Sequence, residues 1–453
     1  MDFKNKKITL MGLGLLGRGV GDAAFFAEAG ADLTVTDLKT KGQLESSLES
    51  LKKYSNIRFV LGEHRLEDFQ NADLVVKAAG VPMDSPFILE AEKNNVPVKM
   101  STEIFAENTS ADVVGITGTR GKSTVSYLIY EILKEHHKDS SQTVFLGGNI
   151  LGVSTISLLK ETREKDIAVL ELDSWQLQGF GHSHNKKFPE NPEGFSPKVS
   201  VFTTFMPDHL NYYNGDMQRY FADKANIYRF QNSDNILVVS EQVMGYINRF
   251  GPKPKSKIII ARTEDVPDSW NIHIPGDHNR LNIALATATT KALGVPEATI
   301  KKAVENFRAA PGRLQLVRQH GGVDIYNDTN STTQDATIAA LKAFGPDKKT
   351  ILIFGGADKK LETGGLLSML PEYTKAIVLL PGTGTDSIKE SLVSVSKKVP
   401  TTFASTMQEA VSVAWGHAQA GDRVIMSPAF ASFGLFKNEY DRGDQFNAAV
   451  KKL

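Results

Sequence analysis

Two glycine-rich turns constrain this 453-residue chain more than any other feature, because each sits between a short apolar run and a segment of helical periodicity. The first is KKITLMGLGLLGRGVGDAAFF, with Gly12, Gly14 and Gly17 in GxGxxG spacing; the second is DVVGITGTRGKSTVSYLIYEIL, carrying Gly118, Thr119, Gly121, Lys122, Ser123 and Thr124. A strand that passes through a glycine turn into a helix is the opening half of a βαβ crossover. Repeated, it builds parallel sheets with helices on both faces. The alternation continues through DLTVTDL, NIRFVLG and DLVVKAAG after the first turn, and through IAVLELDSWQ, KVSVFTTF and DNILVVS after the second. A third stretch begins near Arg308 and Pro311 and holds KTILIFGG, AIVLLPG and DRVIMSP with helical segments between them. At ~150 residues per domain the length agrees with three. The predicted fold is α/β: a Rossmann-like parallel sheet over 1–104, a phosphate-loop ATPase-like domain over 105–308 and a Rossmann-like domain over 309–453. The polar, proline-rich stretch from Gly179 to Pro197 reads as a surface loop, and its His182 and His184 as solvated residues rather than metal ligands.

Composition narrows the chemistry. Lys plus Arg total 52 and Asp plus Glu total 52, so the chain lacks the basic footprint of a nucleic-acid binder. With no cysteine there is neither a disulfide framework nor a thiolate metal site, and any metal must use oxygen or imidazole ligands. Residues 1–10 are charged and then strand-like, and no apolar run approaches the ~20 residues that cross a bilayer. A cytoplasmic protein without a membrane span is expected.

The two turns carry different chemistry. Glycines at the first let a backbone approach a pyrophosphate at a helix N-terminus, and Asp37, closing the next strand, supplies an acceptor for a hydroxyl or imide donor. The second is a shortened phosphate loop that keeps the working parts: amides to cradle phosphates, Lys122 to reach them and the Ser123 hydroxyl for Mg²⁺. Glu171 ends one following strand, and Asp208 and His209 follow another. In open α/β sheets such strand ends face the ligand crevice, so a carboxylate and an imidazole are expected to converge beside the loop as Mg²⁺ ligands.

Taken in order, GTRGKST, LELDSWQL, MPDHLNYY, FADKANI, GDHNRLN, PGR, YNDTNSTT and SPAFASFGLFKN resemble the Mur ligase family over essentially the whole chain. Within it they are most similar to the branch that joins D-glutamate to UDP-N-acetylmuramoyl-L-alanine while splitting ATP. The resemblance implies a three-domain enzyme of peptidoglycan precursor synthesis, acting as a monomer. It implies that Leu15, Leu16, Asp37 and Gly80 hold the UDP group and that Asn149 contacts the muramoyl substrate. Lys122 and Ser123 would bind ATP phosphate and Mg²⁺, with Glu171 and His209 holding a second Mg²⁺. Lys224 would be carbamylated and support that metal. Asn279 and Asn282 would hold the adenine, and Arg313 and Asp328 the ATP phosphate and ribose. Thr332, Lys359, Ser432 and Phe433 would bind the acceptor amino acid. Three positions depart from the family pattern: Asn330 replaces a usual lysine, Leu38 a usual hydroxyl residue and Asp173 a usual serine.

The departure at Asn330 leaves open the same ligase chemistry with a different acceptor amino acid, and three other readings stay open beside it. The first turn with Asp37 suits a nicotinamide-dependent oxidoreductase. The phosphate loop with its strand-end residues suits a folylpolyglutamate synthase-like ligase, and two phosphate-binding turns suit a nucleotide-sensing module without turnover.

Overall fold

The computed structural model describes residues 2–181, 194–359 and 363–453. His182 and His184 lie outside the described residues. By contacts the chain divides into two compact units: one of residues 1–266 with 281–303, the other of 267–280 with 304–453.

The first unit contains two parallel sheets. Strands β1 (Lys7–Met11), β2 (Asp32–Asp37), β3 (Ile57–Leu61), β4 (Leu74–Lys77) and β5 (Val98–Lys99) are ordered β3-β2-β1-β4-β5. Because side chains alternate along a strand, β1 sends Ile8 and Leu10 to one face, against Phe25 and Phe26 of the helix Arg18–Glu28. Met11 faces the other side with Val75, Phe69 and Ile88. Burial on both faces is clearest in β4, every residue of which is buried. The strand order reverses between β1 and β4, so the first glycine turn opens at the topological switch point.

Strands β6 (Asp112–Thr117), β7 (Val144–Gly148), β8 (Ile167–Glu171), β9 (Val199–Phe202), β10 (Ile236–Ser240) and β11 (Lys257–Ala261) form the second sheet, ordered β11-β10-β9-β6-β8-β7. Here the switch point flanks β6, with β8 and β9 as its neighbours. The phosphate loop therefore lies between the ends that carry Glu171 and, beyond β9, His209.

The boundary expected near 104 is not a linker. It falls inside the helix Ser101–Asn108, which buries Ile104 in the core of the first sheet and the adjacent Phe105 in the core of the second. A helix shared by two cores has no exposed hinge, which is why the contacts join both sheets into one unit. Two further close approaches tie them. Gly152 donates its N–H to the Leu16 carbonyl at 3.1 Å, and Ser154 Oγ donates to the buried Asp22 carboxyl at 2.6 Å.

The second unit holds β12 (Gln315–His320), β13 (Val323–Asn327), β14 (Thr350–Gly355), β15 (Thr374–Leu380), β16 (Thr401–Phe403) and β17 (Arg423–Met426), ordered β12-β13-β17-β14-β15-β16. The sheet is parallel except for the β12–β13 hairpin. That hairpin did not emerge from the sequence. Its signal was Gly321-Gly322 between the short runs QLVRQH and VDIYN, and both glycines take positive φ. Among the described residues no helix is long and apolar enough to cross a membrane.

Candidate functional site

The phosphate loop is shaped by one backbone requirement. Gly121, capping the helix Lys122–His137, has φ 86° and ψ −15°, a left-handed conformation that costs a side-chain-bearing residue about 1–2 kcal/mol. That turn reverses the chain so that the helix N-terminus faces back over the loop. The loop is held from β9 and beyond: Thr119 N–H donates to Thr204 O at 2.7 Å, Arg120 N–H to Thr204 Oγ1 at 2.9 Å, and the Thr204 hydroxyl to Arg120 O at 3.0 Å.

Two lysines meet on this loop. Lys122 Nζ donates to Gly118 O at 3.0 Å and to Thr119 O at 3.3 Å. Lys224, on the helix Met217–Ala225, donates to the same Gly118 O at 2.9 Å and is only 2% exposed. Two ammonium groups on one carbonyl repel each other. Burial first, and the Lys122 charge second, hold the Lys224 ammonium well below its ordinary range. Sequence periodicity makes Lys224 an ordinary amphipathic-helix lysine; tertiary packing turns it into a buried amine biased towards its neutral, nucleophilic form.

Glu171 ends β8 at 3% exposure. Its Oε1 accepts from Asn149 Nδ2 at 3.3 Å, whereas Oε2 is buried without a hydrogen-bond partner among the described residues. An orphaned buried carboxylate oxygen is costly unless a cation completes it. His209 adopts φ 52° after β9, its ring lying against Trp175 at 4.8 Å between centroids. Burial lowers its pKa, favouring the neutral imidazole that ligates metals. Its neighbour Asp208 pairs with Arg120 at 2.7 Å. Although burial raises the Asp208 pKa, the Arg120 charge and the hydrogen bonds from Arg120 and the His209 N–H outweigh it and hold the carboxyl below its ordinary range. Ser123, in the first turn of the helix, is half-buried. Among those residues no three His, Asp or Glu side chains cluster as a ready cation site. A Mg²⁺ here would therefore be completed by phosphate oxygens and water, as that ion prefers.

The first turn is built alike and used differently. Gly17 caps its helix at φ 84° and ψ −25°. The Gly14 N–H, which a dinucleotide fingerprint aims at pyrophosphate, donates instead to Asp37 Oδ2 at 2.9 Å, while Asp37 Oδ1 accepts from Lys39 N–H at 2.9 Å. Asp37 thus braces the turn. Leu15 and Leu38 stand exposed beside it, Leu16 is half-buried and Gly80 is exposed. Arg18, the residue after Gly17, donates to Asn149 Oδ1 at 2.7 Å.

Asn282 belongs to the first unit, and its Oδ1 lies where a Cβ on Gly121 would fall, 2.4 Å away. Asn279, in the second unit, donates to Pro275 O at 2.8 Å. There Lys359 Nζ donates to Thr332 Oγ1 at 2.8 Å, so two of the expected acceptor residues meet. Ser432 is buried and Phe433 is 65% exposed. Both Asp328 oxygens are engaged internally, by Leu314 N–H at 3.0 Å and Ser427 Oγ at 2.7 Å. Arg313 Nη1 donates to Asn330 O at 2.9 Å, and Asn330 Nδ2 to Pro311 O at 3.1 Å. The sequence reading missed Arg442. Fully buried, it donates to Thr329 O at 2.8 Å and Phe430 O at 3.1 Å, lacing together the loops that carry Asp328 and Ser432. Arg120, a spacer inside GTRGKST, and Arg18, just past GxGxxG, were also missed, because such positions carry no expectation.

Fold and loop define an α/β phosphate-loop protein with a second, glycine-turn sheet at its N-terminal end. Residues 6–100 match the Mur ligase MurD-like N-terminal domain, 116–268 the Mur ligase middle domain and 312–430 the glutamate ligase domain of Mur ligases. A UDP-N-acetylmuramoylalanine–D-glutamate ligase from Roseiflexus sp. is 35% identical over 100% of both chains, and one from Acetivibrio thermocellus is 32% identical over 99% of this chain and 97% of its own. A UDP-N-acetylmuramate–alanine ligase from Thermotoga maritima shares the fold, with a TM-score of 0.61 at 20% identity over 99% of this chain and 100% of its own. The chain belongs to the Mur ligase family.

Proposed function

We propose that the chain joins D-glutamate to UDP-N-acetylmuramoyl-L-alanine with cleavage of ATP to ADP and phosphate, a cytoplasmic step of peptidoglycan precursor synthesis. The observation that carries the reading is the gathering of Lys122 and Lys224 on Gly118 O, in a chain similar over its full length to D-glutamate ligases. Residues 1–104 would receive the UDP donor, 105–308 ATP and 309–453 the acceptor.

A carboxylate is a poor acyl donor because its leaving group would be oxide. The donor carboxylate therefore attacks the ATP γ-phosphorus; its O–P bond forms, the bond to ADP breaks, and an acyl phosphate results. The acceptor amine then attacks the acyl carbon, loses a proton, and phosphate departs to leave the amide. Lys122 and the loop amides stabilise the charge moving onto ADP. Ser123, Glu171 and His209 would hold Mg²⁺, which supplies charge neutralisation at the phosphates when bound. The neutral Lys224 amine would add CO₂, forming an N–C bond and releasing a proton, to become a carbamate that gives this site a further carboxylate. Thr332 and Lys359, with Ser432 and Phe433, would receive D-glutamate. Asn279, Asn282, Arg313 and Asp328 would flank the nucleotide.

The test is phosphate release with UDP-N-acetylmuramoyl-L-alanine, Mg²⁺ and ATP across amino acids of both stereochemistries. Release that depends on D-glutamate supports the reading. Efficient ligation of another amino acid with none of D-glutamate overturns the acceptor, and the absence of any acceptor-dependent release overturns the ligase.

A further inference from the structure

Arg18 and Lys122 occupy equivalent places in their turns, each the first helical residue after a left-handed glycine. Lys122 has a role in the chemistry above; Arg18 has none. Half-buried beside the first turn, it makes one hydrogen bond among the described residues, from Nη1 to Asn149 Oδ1 at 2.7 Å. A guanidinium has five N–H donors, so although the buried Asp22 carboxyl lies within reach of its charge, most of its donors have no hydrogen-bond acceptor among the described residues at the C-terminal edge of β1, where ligands of such sheets bind. The bond it does make leads to the other site. The Asn149 amide presents its oxygen to the Arg18 cation and its nitrogen to the Glu171 carboxylate at 3.3 Å. Only this orientation of the amide satisfies both charges, because its oxygen cannot donate and its nitrogen cannot accept.

We propose that Arg18 binds the anionic diphosphate of the nucleotide-sugar donor through its remaining N–H groups and, through Asn149, holds the Glu171 carboxylate in register with the bound donor. Arg18 is thus a positioning residue that links donor occupancy to the cation site, a role that rests on the ligase reading above. Its planar fork suits a diphosphate better than an ammonium does.

The experiment compares Arg18→Met, Arg18→Lys, Asn149→Ala and the Arg18→Met/Asn149→Ala double variant with the unaltered chain. The measurements are KM for UDP-N-acetylmuramoyl-L-alanine, KM for ATP, kcat and the Mg²⁺ concentration at half-maximal rate. Arg18→Met is expected to raise the donor KM tenfold or more and the Mg²⁺ requirement severalfold, leaving the ATP KM within twofold. Arg18→Lys should recover part of the donor KM, and the double variant should lose less than the product of the single losses. An unchanged donor KM in Arg18→Met, or fully multiplicative losses in the double variant, overturns the proposal. Calorimetric titration of the unaltered chain with UDP-N-acetylmuramoyl-L-alanine separates the two levels. Donor binding and turnover there, with Arg18→Met indistinguishable, removes the Arg18 role alone; no donor binding by the unaltered chain removes the ligase reading with it.

Discussion

The two glycine turns share one local construction and differ in what surrounds them. Each follows a central parallel strand, caps its helix with a left-handed glycine (φ 84° at Gly17, 86° at Gly121) and opens that helix with a cation. At the first turn Asp37 has already taken the Gly14 N–H, and Arg18 rests on a neutral amide. At the second, threonines beyond β9 brace the loop from behind, a second lysine converges on its carbonyl, and an unsatisfied Glu171 oxygen ends the neighbouring strand. A glycine turn supplies anion affinity; the groups facing it decide whether the anion is merely held or made to react.

The comparison breaks most visibly at the two cations. Lys122→Ala is expected to lower kcat/KM roughly a thousandfold or more with little loss of fold, since the lysine acts on charge developing in the transition state. Circular dichroism with steady-state phosphate release checks this, and a folded variant with full turnover would dissolve the difference between the turns.

Lys224→Met should be next, with at least a hundredfold loss of kcat and partial rescue by short-chain carboxylates. Its stability carries a sign. The lysine pKa is lowered in the folded state, so between that value and the ordinary ~10.4 the unfolded chain binds more protons, and stability rises with pH. Denaturant melts of the unaltered chain should therefore gain on those of Lys224→Met as pH rises towards 10. A constant gap would mean that the buried amine does not titrate.

Smaller effects sharpen the contrast between the caps. Gly121→Ala and Gly17→Ala meet the same backbone cost of about 1–2 kcal/mol. Only the former drives a Cβ to 2.4 Å from Asn282 Oδ1; the latter meets Gly152 Cα at 3.3 Å. Both should lower the midpoint of thermal unfolding, while the ATP KM rises several-fold for Gly121→Ala alone. Equal ATP KM values would separate Asn282 from the nucleotide.

Asp37→Asn should be the mildest. It keeps one acceptor and loses the other, about 0.5–1.5 kcal/mol, so the donor KM should rise a few-fold with the ATP KM unmoved. A parallel rise in both constants would show that the turns are not independent.

Sequence alone determined the local grammar of this protein: apolar runs long enough for buried parallel strands, glycines where the backbone needs φ above zero, and a loop lysine and serine at phosphate spacing. These are legible because neighbours along the chain decide them. The rest required the fold. Lys224 could not be told from a solvated helix lysine until Gly118 O and the core closed over it, and Asp37 could not be seen to brace its own turn. Only the fold shows that at position 104 the chain passes from one core to the next inside a helix, with Ile104 in one and Phe105 in the other. The β12–β13 hairpin hid in residues whose alternation is weak. Arg18, Asn149 and Glu171 come from three separate stretches, and no spacing rule connects them. Their hydrogen-bonded line exists only because sheet order and helix packing set one strand end beside another, and such long-range placement is a property of the whole chain's burial rather than of any local segment.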